Sequence, residues 1–184
     1  MAILLSIDPG TTKSGWCIYE GRKDRVLDTV VACGVDENED LLRRITDFIT
    51  VYPSNQKAPS GQVVIEWITS YGMKVGQEVF ETCLFAGRCY ERAMTLATTF
   101  GSPKPVLITR KEIKMALVGR MNSKDTHVRQ ALIEMFGPTK EQAIGKKASP
   151  GPLYGVTSHG WSALAVAVVY MEKLKKELGM YFDY

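Results

Sequence analysis

Short apolar runs and helical stripes alternate along the chain, and their order predicts an α/β domain. Ile3, Leu4, Leu5 and Ile7 form the kind of apolar run that marks a strand buried on both faces, and it stops at Asp8-Pro9-Gly10. The Pro-Gly turn returns the chain through a second apolar run, Gly15 to Tyr19, as an antiparallel hairpin does. Val26 to Gly34, rich in β-branched residues, predicts a third strand. Asn38 to Val51 has helical spacing, with Leu41, Leu42, Ile45, Phe48 and Ile49 on one face and Arg43, Arg44 and Asp47 off it. After a turn-rich segment, 52–61, the brief strand Val63-Val64-Ile65 ends in Glu66. A helix from about Lys74 to Thr99, a strand from Pro105 to Ile108, and helices over Thr109–Val118 and Lys124–Phe136 follow. Residues 137–155, rich in Gly, Pro and Lys, predict a mobile loop with a task. The last helix is expected over about Thr157 to Leu178, with Trp161, Leu164, Ala165 and Val168 in the core. This order predicts a five-stranded mixed sheet flanked by helices: three antiparallel strands, then two parallel ones joined by crossover helices.

A chain of 184 residues fits a single domain, 1–184, with a substantial core. No apolar run approaches the roughly 20 residues of a membrane span, and the short N-terminal apolar stretch lacks the basic flank of a secretory signal. Cys17, Cys33, Cys83 and Cys89 form no CxxC pair and lie in apolar periodic segments. They read as buried thiols in a reducing compartment, with the cytoplasm as the expected location. The net charge of +3 is small, but its distribution is uneven. Residues 1–100 carry 10 Lys/Arg against 13 Asp/Glu, a balance of −3, and residues 101–184 carry 13 against 7, a balance of +6. Lys104 to Lys147 holds 10 of the basic residues and 4 acidic ones. Such a segment fits either a solvated helical face or a surface that holds phosphates.

A carboxylate closing a buried strand is costly unless it is paired, hydrated or bound to a metal. Asp8 alone reads equally as a turn cap or as a metal or phosphate ligand. Glu66 closes a second strand that would neighbour the first at the sheet centre, where ligand sites form in such sheets. Two acids at two adjacent strand ends favour a site.

With its neighbours, this pair resembles a known family. IDPGTTKSGW at the first strand, a Glu closing the fourth, the stretch VGRMNSKDTHV and a last helix HGWSALAVAVVY that opens with His look like the RuvC-type Holliday junction resolvases of the ribonuclease H-like superfamily. PGPLYG before that helix looks most like the bacteriophage-encoded members, for which the host bacterial cytoplasm is the expected location. The resemblance implies a ribonuclease H-like fold and a homodimeric endonuclease that resolves four-way DNA junctions by paired symmetric nicks. It implies two divalent cations about 4 Å apart, Mg²⁺ with Mn²⁺ as a substitute, and neither a membrane nor a small-molecule cofactor. Asp8 would lie between the ions, Glu66 would be a ligand on one side, and His159 would ligate a metal or move a proton. One position departs from the pattern: where the family commonly carries a further acid on the last helix, this chain has Ser162. Fewer anionic ligands should weaken Mg²⁺ binding and favour Mn²⁺.

Lys114 and Lys124 match the family's basic positions, and Lys124, followed by Asp125, is the expected catalytic lysine. Lys111, Arg120, Arg129, Lys146 and Lys147 would extend the DNA-binding surface. Tyr71 would wedge into the junction centre, where a ring replaces lost base stacking, while Trp67 and Trp161 read as core. Phe80, Cys83, Leu84, Gly87 and Ala93 on the long helix offer a dimer surface. Three other readings stand beside this one. A phosphotransferase of the actin–hexokinase type shares Asp-x-Gly-Thr-Thr but needs a second such hairpin and a longer chain. A broader fork or flap nuclease would use the same residues. A junction-binding protein with weak or no cleavage is motivated by Ser162.

Overall fold

The computed structural model describes residues 2–21, 28–52, 61–69, 72 and 74–179. Five strands form one sheet: β1 (Ala2–Asp8), β2 (Lys13–Gly21), β3 (Thr29–Glu37), β4 (Gln62–Trp67) and β5 (Val106–Thr109). Their order is β3-β2-β1-β4-β5. β1 pairs antiparallel with β2, and β2 with β3, whereas β4 runs parallel to both β1 and β5. The expected mixed sheet is present. The strand expected over Val26 to Gly34 is described as β3 from Thr29 onward and runs on to Glu37.

The helices are α1 (Asn38–Val51), α2 (Gln77–Phe100), α3 (Arg110–Val118), α4 (Asp125–Phe136), α5 (Lys140–Ala143) and α6 (Gly160–Glu177). Two covers lie on the two faces of the sheet, and the strands read out the difference by parity. Ile3, Leu5 and Ile7 of β1, with Val63 and Ile65 of β4, pack with Leu41, Ile45, Phe48 and Ile49 of α1 and Phe85, Cys89 and Ala93 of α2. Leu4, Val64 and Ile108 pack on the opposite face with α6, α3 and α4. Both faces of β1 are therefore buried, which is why its sequence is apolar apart from Ser6 and the closing Asp8.

α6 is buried at every position from Gly160 to Val169 except Ser162. It is apolar all round because the sheet covers one side while α3 and α4 cover the other. Burying a side chain such as Leu164 or Val168 contributes about 1.5–3 kcal/mol. Ser6, whose side chain points to this face, donates its hydroxyl to the Ala163 carbonyl at 2.6 Å and so registers α6 against β1.

The 137–155 segment is a correction to the sequence reading. It folds into α5 and a small hairpin, β6 (Gly145–Lys146) with β7 (Ser149–Pro150). Leu153 is fully buried, and its amide donates to the Ala143 carbonyl at 2.8 Å. Few apolar residues anchor this segment, so composition alone made it resemble an open loop. Among the described residues no helix is long and apolar enough to cross a membrane.

Candidate active site

The parity that sorts the core also aims the two acids. Ile7 pairs with Ile65 across β1 and β4, and Asp8 and Glu66 are the next residues on each strand. Both share the parity of Leu4 and Val64, so both carboxylates face α6 at the same end of the sheet. Asp8 and Glu66 are buried, at 8% and 5% exposure.

Asp8 is held by its turn. Asn38, the first residue of α1, donates to the carbonyls of Gly10 and Thr11 at 3.1 and 2.9 Å. It also accepts the Ser14 hydroxyl at 2.7 Å, while Ser14 Oγ accepts the Gly10 amide at 3.0 Å. The hairpin tip is therefore braced from the other face of the sheet.

The third group arrives from α6. His159, which occupies the N-cap position of α6, places Nδ1 3.0 Å from Asp8 Oδ2. α6 begins at Gly160, later than the expected Thr157, because Ser158 sits in the left-handed region at φ 44°. That conformation costs an ordinary residue about 1–2 kcal/mol. The backbone of His159 lies directly on Gly15, the β2 partner of Asp8. A Cβ at Gly15 would stand 2.2 Å from the His159 carbonyl oxygen. Hydrogen bonding to Asp8 raises the His159 pKa, burial opposes the shift, and the Asp8 charge adds to it.

Glu66 is bound on one side only. Its Oε1 accepts Nη1 of Arg110 at 2.8 Å, while Oε2 is buried with no partner. Burial pushes the carboxyl pKa up to about 7, the Asp8 charge pushes the same way, and Arg110 opposes both. Nη2 of Arg110 meets Asp125 at 2.5 Å, and Lys114 stands 3.7 Å from the same carboxylate. Arg110 is fixed by its own helix start. The Thr109 hydroxyl accepts the Glu112 amide at 3.3 Å, and Glu112 Oε2 accepts the Thr109 amide at 2.7 Å. Glu112 also accepts Lys173 at 2.7 Å, which ties α3 to α6.

Glu66, Arg110, Lys114, Asp125 and His159 line a cleft of about 350 Å³. Ser162 lines it as well, so the one unburied residue in this part of α6 opens onto the same cleft as Glu66. Arg129 and Trp161 form another wall, the guanidinium 4.5 Å above the ring centroid. Among the described residues no three His, Cys, Asp or Glu side chains are gathered tightly enough to form a ready cage for a metal. Asp8 instead leans on His159 and Glu66 on Arg110. The donor set nonetheless fits a hard divalent cation: Glu66 Oε2 is an unpartnered buried carboxylate oxygen, the ligand type that Mg²⁺ and Mn²⁺ take.

The other anticipated residues are spread more widely. Lys114 and Arg129 line the cleft, and Trp161 is core as expected. Lys124 is exposed at the N-cap of α4 and does not line the cleft. Lys111 is exposed on α3, Arg120 in the turn before α4, and Lys146 and Lys147 on the β6–β7 hairpin. Tyr71 lies outside the described residues. Cys17 and Cys89 are buried, Cys33 and Cys83 are partly so, and all four are free thiols. Ala93 is buried against the sheet and belongs to no surface, whereas Phe80 and Leu84 are 64% and 71% exposed.

Arg110, Asp125 and Gly15 were not anticipated. Arg110 carried a signal, since a cation in the first turn of a helix opposes the dipole and needs an anionic partner.

No family model and no curated protein matches the sequence. Solved structures do. Thermus thermophilus RuvC superposes with a TM-score of 0.61 at 18% identity, over 97% of each chain. T. thermophilus RuvC in complex with Holliday junction substrate gives 0.63 at 17%, over 95% of this chain and 96% of that one. This chain has the RuvC fold. Fowlpox virus resolvase with substrate Holliday junction DNA gives 0.51 at 11%, over 92% of this chain and 99% of that one. That fold accounts for nearly the whole chain, including the sheet end on which the acids stand.

Proposed function

We propose that this chain is a divalent-metal-dependent endonuclease that resolves four-way DNA junctions by paired symmetric nicks. The observation that carries the reading is the convergence of Asp8, Glu66 and His159 at one sheet end, with an unpartnered buried oxygen on Glu66, beside an open cleft lined by basic residues. The T. thermophilus RuvC and fowlpox virus resolvase complexes hold Holliday junction DNA, which favours the same substrate class here.

Asp8 and Glu66 would hold the cation, Mg²⁺ or Mn²⁺, with His159 hydrogen bonded to Asp8. The bound cation would lower the pKa of a water and stabilise charge on the phosphate. His159, half exposed and hydrogen bonded to Asp8, is placed to hold or move a proton at Nδ1. Lys114 and Arg129 in the cleft wall would bind backbone phosphates. Lys124, Lys111, Arg120, Lys146 and Lys147, all exposed, would contact arms of the DNA farther out.

Two opposed cuts require two sites, so the functional unit is proposed to be a homodimer. Phe80 and Leu84 of α2, exposed a turn apart, are its proposed contact. A second reading, a protein that binds junctions and cuts them slowly, is favoured by Ser162 standing uncharged on the cleft. An end-labelled four-way junction incubated with Mg²⁺ or Mn²⁺ tests both. Paired symmetric nicks support the resolvase. Single cuts on forks or flaps support a broader nuclease, and retarded but uncut junction supports the binder.

A further inference from the structure

Arg110 occupies a place that the reading above leaves to metal. Its guanidinium spans two carboxylates, Glu66 at 2.8 Å and Asp125 at 2.5 Å, and 40% of its side chain is exposed on the cleft. Guanidinium has five N–H donors, and these two bonds use two of them, so three remain for a ligand. On the opposite wall Ser162 offers no charge. The carboxylates of Asp8, Glu66 and Asp125 already face the cations of Arg110, Lys114 and Arg129, with His159 against Asp8, so the site carries no surplus of negative charge for two divalent ions. One divalent ion leaves a positive excess, which the phosphates of the DNA backbone offset. A second would find neither an acid where α6 lines the cleft nor a free Oε1 on Glu66.

Resting on the nuclease reading, we infer that Arg110 stands in for one of two metal ions: the centre takes a single divalent cation, and the Arg110 guanidinium contacts the DNA phosphate from the other side. A planar fork suits this task, since it holds a carboxylate and still presents N–H donors to a phosphate. Its position is pre-set by the Thr109–Glu112 capping box, which fixes the first turn of α3 without using the guanidinium.

The test counts ions. Titration of the full chain with Mn²⁺, followed by electron paramagnetic resonance, should show one ion bound per chain. The double variant Arg110→Gln with Ser162→Asp should bind two, and Arg110→Lys with Ser162→Asp, which keeps the cation, should bind one. Thermal melts of each variant show that it is folded. On a four-way junction, Arg110→Gln should lower kcat at least tenfold with little change in KM, and Arg110→Lys should recover part of the loss. Two ions on the unmodified chain, or one on the Gln/Asp variant, would overturn the inference and leave the nuclease reading intact. No bound ion on the unmodified chain would overturn both.

Discussion

His159 Nδ1 lies 3.0 Å from Asp8 Oδ2 although 151 positions separate them, and Gly15 is the residue that lets them meet. The first strand supplies the acid, the last helix supplies the imidazole, and the second strand leaves room for the helix backbone. This arrangement makes Gly15→Ala a sharp probe. Its Cβ would drive the His159 carbonyl off β2, costing about 1–3 kcal/mol as over-packing does. Melting should fall accordingly, and junction cleavage should fall by more than tenfold as His159 leaves Asp8. An unchanged melt with full activity would show that the helix start yields freely.

Glu66 makes the metal-free protein pH dependent. Its folded pKa is raised to about 7 from an ordinary 4.5, so the native state binds more protons than the unfolded state between those values. Stability therefore falls as pH rises through that window. His159, also raised, contributes stability below its ordinary 6.5 that is lost at higher pH. Urea unfolding in chelator should show declining stability from pH 4.5 to 7. Glu66→Gln should flatten the slope, and Mn²⁺ at pH 7 should restore what the ionised carboxylate costs.

Glu112 acts in the opposite sense. Hydrogen bonds from Lys173 and Thr109 lower its pKa to about 2. Its stabilisation is therefore present above the ordinary 4.5 and lost as pH falls toward 2. Glu112→Ala removes the capping box as well and should cost about 1 kcal/mol at pH 7. In urea titrations the gap between variant and parent should close as pH falls from 4.5 toward 2.

The lysines separate by position. Lys114 lines the cleft and Lys124 does not, so Lys114→Ala should depress cleavage at saturating DNA by more than tenfold. Lys124→Ala should weaken junction binding and reduce its salt slope by about 1, with the rate at saturation little changed. Equal effects on rate at saturation would show that α4 moves toward the cleft when DNA binds.

Much of this was legible in the chain. Apolar runs marked the strands, and acids closing two neighbouring strands marked the candidate site, because two buried carboxylates side by side are costly without a cation. What could not be read was long-range: that the parity of Leu4 and Val64 aims Asp8 and Glu66 at α6, and that Gly15 admits His159. Arg110 went unread because pattern matching favoured lysines that follow the strand, not the arginine at its end. The 137–155 segment looked like loop because only two of its side chains, Ala143 and Leu153, are buried.

Asp8 is proposed to belong to a metal centre that cuts DNA, not merely to cap a turn. Side-by-side cleavage and gel retardation of a labelled four-way junction by the unmodified chain and by Asp8→Asn address it directly. Paired nicks from the first, and an intact retarded junction from the second, are the expected result. An Asp8→Asn protein that nicks the junction at the parental rate would contradict it.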